Sequence, residues 1–151
     1  MVAVRNRQSG FSLLELLIVV MVLAILAGIA IPSYLSTVQR AREAACIGYM
    51  KQWPQAQIQY YAQYNKFADT DEILVLDKFI GVGLGAGYRH QGYDFQIEAL
   101  PGDPNMKNGW QGTGSPTMGG SNKRYFFTDN TGVIRWRMGA TASKTSQALG
   151  Q

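Results

Sequence analysis

The run Arg5-Asn-Arg7-Gln-Ser-Gly10-Phe11-Ser-Leu-Leu-Glu15 passes without a break into apolar sequence that ends at Ile31-Pro32. It combines a short basic head, a Gly-Phe step and a single carboxylate inside an otherwise apolar segment. From Phe11 to Ile31 there are 21 residues, which as a helix rise about 32 Å and match the hydrocarbon core of a bilayer. Arg5 and Arg7 precede this span, so the positive-inside rule leaves the N-terminus in the cytoplasm and everything after Pro32 outside. A cleavable secretory signal fits poorly. The small residues Gly28 and Ala30 run into Ile31-Pro32 rather than a clean cleavage site, and Glu15 is unusual in the core of such a signal. A carboxylate at that depth costs about 2.5–3.5 kcal/mol on insertion scales, so Glu15 calls for a partner and a role. A plain anchor would be better served by leucine.

Working outward, the 151-residue chain has room for one modest domain beside the span, and its formal net charge is +4. Arg5 and Arg7 supply half of that excess: from Phe11 onward there are 12 basic and 10 acidic side chains. Composition therefore lends little support to a nucleic-acid partner. The one cysteine, Cys46, excludes an intrachain disulfide framework. Burial as a small hydrophobe is its default role, with an intermolecular disulfide as the alternative.

The segment Gly10-Phe11-Ser-Leu-Leu-Glu15-Leu-Leu-Ile-Val-Val, behind its basic leader, resembles the processing site of the type IV pilin and pseudopilin family. The resemblance implies that an inner-membrane prepilin peptidase cuts between Gly10 and Phe11 on the cytoplasmic side and N-methylates Phe11. It also implies that Glu15 is the family's glutamate and that Pro32 is its proline near the end of the hydrophobic helix. The likeness is close over residues 5 to about 40 and concerns architecture beyond that. It implies three regions: a removed leader at 1–10, a transmembrane and polymerisation helix at 11–32, and a pilin-like head at 33–151. Implied partners are further copies and other pilins, the peptidase, an inner-membrane platform protein and an assembly ATPase, with membrane lipid around the helix before assembly. The implied location is the bacterial inner membrane, in a single pass, and afterwards a pilus or periplasmic filament.

The chemistry of Glu15 can be followed beside the resemblance. Residues four apart on a helix face the same way, so Glu15 lies near the new α-amino group of Phe11. Pairing within one chain is the simpler arrangement. The family implies pairing with the amino terminus of a neighbouring subunit, which would make Glu15 a register device, because a mis-docked subunit leaves two buried charges unpaired.

Past Pro32, Tyr34, Val38, Ala41, Ala45, Tyr49, Trp53, Ala56, Tyr60, Tyr64 and Phe67 recur at steps of three or four. This is the apolar stripe of an amphipathic helix, with Glu43 and Gln57 among the residues off it. Pro32 and Pro54 predict kinks. The aromatic stripe reads as core packing rather than a cofactor path. Asp69-Thr-Asp71-Glu72 reads as a capping box with Asp69 as N-cap, in preference to a calcium site. The glycines from Gly81 to Gly87 fit no GxGxxG register and read as a flexible connection. Tyr93–Leu100 alternates as a half-buried strand, residues 101–122 read as a long loop, and Arg124–Thr128 with Val133–Met138 read as a hairpin around Asp129–Gly132. The tail from Gly139 reads as frayed. The predicted fold is α+β, a long N-terminal helix packed on a small antiparallel sheet of about three to four strands.

Lys123, Arg124, Arg135 and Arg137, interleaved with Tyr125, Phe126 and Trp136, form the one ligand surface the sequence suggests. Such a face suits DNA backbones, but strand alternation points some of its aromatics inward. A solvated, subunit-contacting sheet face is the default. Catalysis finds no support: the single histidine, His90, lies in a glycine-flanked stretch, and GxSxG, HExxH and CxxC are absent. No cofactor and no metal are expected. Two classes remain, a polymerising structural subunit and a non-polymerising single-span binding protein, and Glu15 favours the first. Within it, a pilus subunit competes with a type II secretion pseudopilin. The two cysteines that close a loop in many pilins are missing, while Asp103 and Asp129 are thin material for the calcium site common in major pseudopilins. The aromatic helix and the Thr-Asp-Asn-Thr-Gly hairpin lean toward the pilus.

Overall fold

The computed structural model of the protein describes residues 11–81 and 92–150. The leader, Gly10, most of the glycine run after Gly81 and His90 lie outside the described residues. The chain divides into two compact units, Met1–Gln39 and Arg40–Gln151.

The first unit is helical from Leu13 onward, as the beginning of α1 (Leu13–Met50, 38 residues). Its apolar side chains stand open to their surroundings through Leu35. The helix assignment runs through Pro32, whose missing N–H removes one ladder hydrogen bond. Just beyond it the Ser36 and Thr37 hydroxyls both donate to the Ser33 carbonyl, at 2.8 and 3.0 Å.

In the second unit α1 ends at Met50, and Gln52 N–H closes onto Tyr49 O at 3.0 Å. A second helix, α2, spans Trp53–Tyr64 with Pro54 in its first turn, where a missing N–H costs nothing. Pro54 therefore starts a helix, and the kink expected there is a break between two. Asn65, left-handed at φ 55°, ends α2 with its N–H on Tyr61 O. Gln57, assigned by periodicity to the polar face, is fully buried. Its amide donates to Ala68 O at 2.9 Å and accepts from Ala68 N–H at 2.8 Å, which pins the following loop to the helix. The short α3 (Asp71–Leu76) is capped by Thr70, whose hydroxyl accepts from Ile73 N–H, and not by Asp69. Asp71 is buried instead, accepting from the Tyr49 hydroxyl at 3.0 Å.

Five strands follow: β1 (Tyr93–Ala99), β2 (Trp110–Pro116), β3 (Arg124–Asp129), β4 (Arg135–Met138) and β5 (Gln147–Ala148). They form one antiparallel sheet in sequential order. The α+β architecture is the one the sequence predicts. The additional strands lie where a loop (β2) and a frayed tail (β5) were expected. Tyr93, Phe95, Ile97, Trp110, Gly112, Gly114, Phe126 and Trp136 share one face by register. Most of that face meets Cys46, Tyr49, Met50 and Trp53 in the core. Aromatic edges organise the contact, with Tyr49 4.7 Å from Phe95 and Trp53 6.3 Å from Trp110 between ring centres.

Two glycines admit the helices to the sheet. A Cβ on Gly112 would stand 2.3 Å from a Trp53 ring carbon, and one on Gly114 2.9 Å from the Cys46 sulfur. Read in sequence, Trp110-Gln-Gly-Thr-Gly-Ser-Pro116 is loop-like. In the fold those glycines face the helices, and the intervening Gln111, Thr113 and Ser115 face away.

Candidate assembly site

The first unit holds the residues expected to carry assembly. Phe11 is 75% exposed, and Glu15 lies in the first turn of α1 with its side chain outward. Leu13, Leu16, Leu17 and Val20 line a nearly pure apolar surface beside it. Between Phe11 and Gln39, Glu15 is the only charged side chain. Helix length and hydropathy suffice to cross a bilayer, and none of the apolar window is buried inside the protein. Such a surface must be covered by lipid or by other helices, because water-exposed apolar area costs about 25 cal/mol per Å². Pro32 lies inside α1 just beyond this apolar stretch.

The basic-aromatic face does not form one surface. Antiparallel register sets Arg124 opposite Met138 on the helix-facing side, and Arg137 and Arg135 opposite Tyr125 and Phe127 on the other. Arg124 is committed to Glu43 of α1 at 3.1 Å, with its guanidinium 4.7 Å from the Trp136 ring centre. Arg135 donates to Ser146 O at 3.3 Å, and Lys123 Nζ to Met118 O at 2.6 Å. These four cations therefore lack the convergent arrangement a strand of DNA would need. Sequence periodicity missed Glu43, which it placed on the polar face and which is 8% exposed. No pattern in the chain marks a salt bridge between residues 81 positions apart.

Other chemistry is accounted for locally. Cys46 is fully buried, and burial first, then the charge of Glu43, pushes its thiol far above the ordinary range. An intersubunit disulfide through Cys46 would require the core to open. Asp129 accepts from the Thr131 backbone and hydroxyl, and Asp103 from the Asn108 N–H, each serving its own turn. Among the described residues no three His, Cys, Asp or Glu side chains gather as metal ligands.

Comparison with known proteins adds to this geometry. Residues 5–31 match the family model described as the prokaryotic N-terminal methylation motif. The chain is 29% identical over 102 residues to the type II secretion system core protein G of Aeromonas hydrophila, which spans 66% of this chain and 69% of that protein. It is 29% identical over 102 residues to the type IV major pilin protein PilA of Myxococcus xanthus, covering 68% of this chain but 42% of the relative. It is 34% identical over 71 residues to the type IV wide pilus major component PilA4 of Thermus thermophilus, covering 47% of this chain and 53% of the relative. The match thus spans about half or less of either pilin. Methylation segment, exposed apolar helix, α+β head and these relatives agree: the chain carries the prokaryotic N-terminal methylation motif and is similar to type IV pilins and pseudopilins, which are structural, non-enzymatic subunits.

Proposed function

We propose that the protein is a subunit of a type IV pilus-like filament, matured by cleavage between Gly10 and Phe11 with N-methylation of Phe11. In this reading residues 1–10 are discarded, 11–32 first span the inner membrane and then pack into the filament, and 33–151 form the outer head. The observation that carries it is an uncovered apolar helix whose one charged group, Glu15, lies four residues from the new amino terminus. In a bundle of such helices Glu15 neutralises the Phe11 amine of a neighbouring copy and so fixes register. Pro32 leaves one carbonyl without its helical partner, a point where the helix can adjust on leaving lipid. Partners are further copies, other pilins, the peptidase, the membrane platform and the assembly ATPase. Likeness to the secretion protein, whose own length is covered further than that of either pilin, supports a second reading as a pseudopilin.

Mass spectrometry of the mature N-terminus should find N-methylated Phe11; an intact Met1, or a cut near Ala30, would sink the processing assignment. Glu15→Val should leave the chain in the membrane fraction while abolishing its recovery in sheared filaments. Undiminished filament yield would show that Glu15 does not set register. Filaments sheared from the cell surface support the pilus, and loss of protein secretion on deletion supports the pseudopilus.

A further inference from the structure

Charge is distributed unevenly over the head. The chain enters this unit at Arg40, nine residues after the apolar run ends at Ile31. α1 then lays Arg42 and Glu43 against one end of the sheet. Arg42 packs beside Gly92, where an added Cβ would lie 3.7 Å from its side chain, and Glu43 holds Arg124 at the start of β3. The strand ends there are tied together: Thr117 N–H donates to Gly92 O and Gly139 N–H to Lys123 O, both at 2.9 Å. Arg40, Arg42 and Arg137 are exposed and Lys123 half-buried. Two exposed methionines belong to the same strand ends: Met118, at 78% exposure, whose carbonyl accepts from Lys123 Nζ, and Met138, at 48%, opposite Arg124. The acids at this end are Glu43, already bound to Arg124, and Asp94 near the start of β1. The exposed carboxylates Asp69, Glu72 and Asp77 lie around α3, and Asp103 and Asp129 serve loops at the opposite strand ends.

We propose that this end of the head, presenting Arg40 and Arg42 from α1, Met138 from the helix-facing side of β4, Arg137 from the other side of β4, and Lys123 and Met118 from the loop before β3, rests on anionic lipid headgroups while the chain is still anchored in the membrane. The proposal depends on the membrane-span reading given above. Cations near a lipid surface add about fivefold each to its partition, and long basic side chains reach phosphates while their stems cover apolar surface. Methionine is flexible and polarizable, which suits an irregular interface of headgroups and upper acyl chains. Connectivity selects lipid over another protein. The polypeptide arrives at this end from the apolar run, so the bilayer is present at high effective concentration, whereas a second copy must be met by diffusion. One consequence is that anionic lipid opposes extraction of the subunit into the filament.

The test uses the full-length chain in vesicles, with Met118→Cys carrying an environment-sensitive NBD dye. Cys46 stays unlabelled because burial raises its pKa. In vesicles containing phosphatidylglycerol the dye should shift to the blue and resist dithionite quenching. It should not do so in pure phosphatidylcholine, nor should a dye at Leu76→Cys, 70% exposed on α3. Adding Lys123→Gln and Arg137→Gln should lower the shielded-to-exposed ratio roughly 25-fold, and high salt should abolish the shift. Equal emission in both lipids, with the chain co-floating in both, overturns the proposal and leaves the span intact. Failure to co-float in either overturns the span reading and this proposal with it. A shift in neutral vesicles that grows with protein-to-lipid ratio assigns the surface to a second copy and overturns the lipid assignment.

Discussion

Single atoms decide how closely α2 can approach the sheet. Gly112 has no Cβ, and the space a Cβ would need is filled by the Trp53 ring at 2.3 Å. Gly112→Ala must therefore displace a fully buried indole, and overpacking of this kind costs about 1–3 kcal/mol. Urea unfolding followed by tryptophan fluorescence should show that loss. Trp53→Leu should make the glycine substitution nearly neutral, since the two side chains no longer compete. A wild-type midpoint in Gly112→Ala alone would mean that the ring has room to move. Tyr49 and Cys46 set the response to alkali. Burial, then the Asp71 charge, raises the Tyr49 hydroxyl, and burial raises the Cys46 thiol. Both folded groups hold their protons to higher pH than unfolded ones, so the unfolded state binds fewer protons and stability falls as pH rises above about 9. Below that pH these groups contribute in full. Tyr49→Phe should flatten the part of the decline that begins near pH 10, measured by unfolding midpoints across that range.

At the scale of elements, what was legible in the sequence depended on whether the deciding contact was local. The apolar helix, the alternating β1 and the β3–β4 hairpin announce themselves through periodicity and turn residues, which belong to the segment itself. β2 does not, because its glycines answer to Trp53, Cys46 and Met50 on the helices. Glu43 and Gln57 were assigned to solvent for the same reason, their partners Arg124 and Ala68 being invisible to a helical wheel. In the assembly segment, the resemblance to type IV pilins, carried by residues local to that segment, is what brings Phe11, Glu15 and Pro32 into one reading. The basic face failed because strand register separates Arg124 from Arg135 and Arg137. β5 is the least legible element, two residues held by pairing with Arg135 and Trp136 and by Leu149 N–H on Ile134 O at 2.8 Å. Truncation after Ser146 should lower hydrogen-exchange protection at the β4 edge while β1 to β3 keep theirs. The cost should be about 1–3 kcal/mol, the worth of a few hydrogen bonds. Loss of protection throughout the sheet would make β5 part of the cooperative core.

Over the whole molecule, two opposite solutions to burying apolar surface share one chain. The described residues from Arg40 onward cover their own: Tyr49, Trp53, Leu74, Tyr93, Trp110 and Phe126 are nearly inaccessible, and exposed hydrophobes such as Ile58, Leu76 and Val133 belong to separate elements. The segment from Leu13 to Leu35 covers none of its own and depends on lipid or on copies of itself. The proposed passage from bilayer to filament would need this division, since the head has to stay folded while the surroundings of the helix change. It follows that a chain beginning at Arg40 should fold without the rest. Its α1 remnant keeps Glu43 on Arg124 and Cys46, Tyr49 and Met50 in the core. The truncated protein should run as a soluble monomer on size exclusion, with a single cooperative thermal transition and the tryptophan emission of a buried ring. The chain from Phe11 should require detergent. Aggregation of the Arg40 fragment, or a transition without cooperativity, would mean that the apolar helix contributes to the stability of the head, and that assembly alters the head as well as the helix.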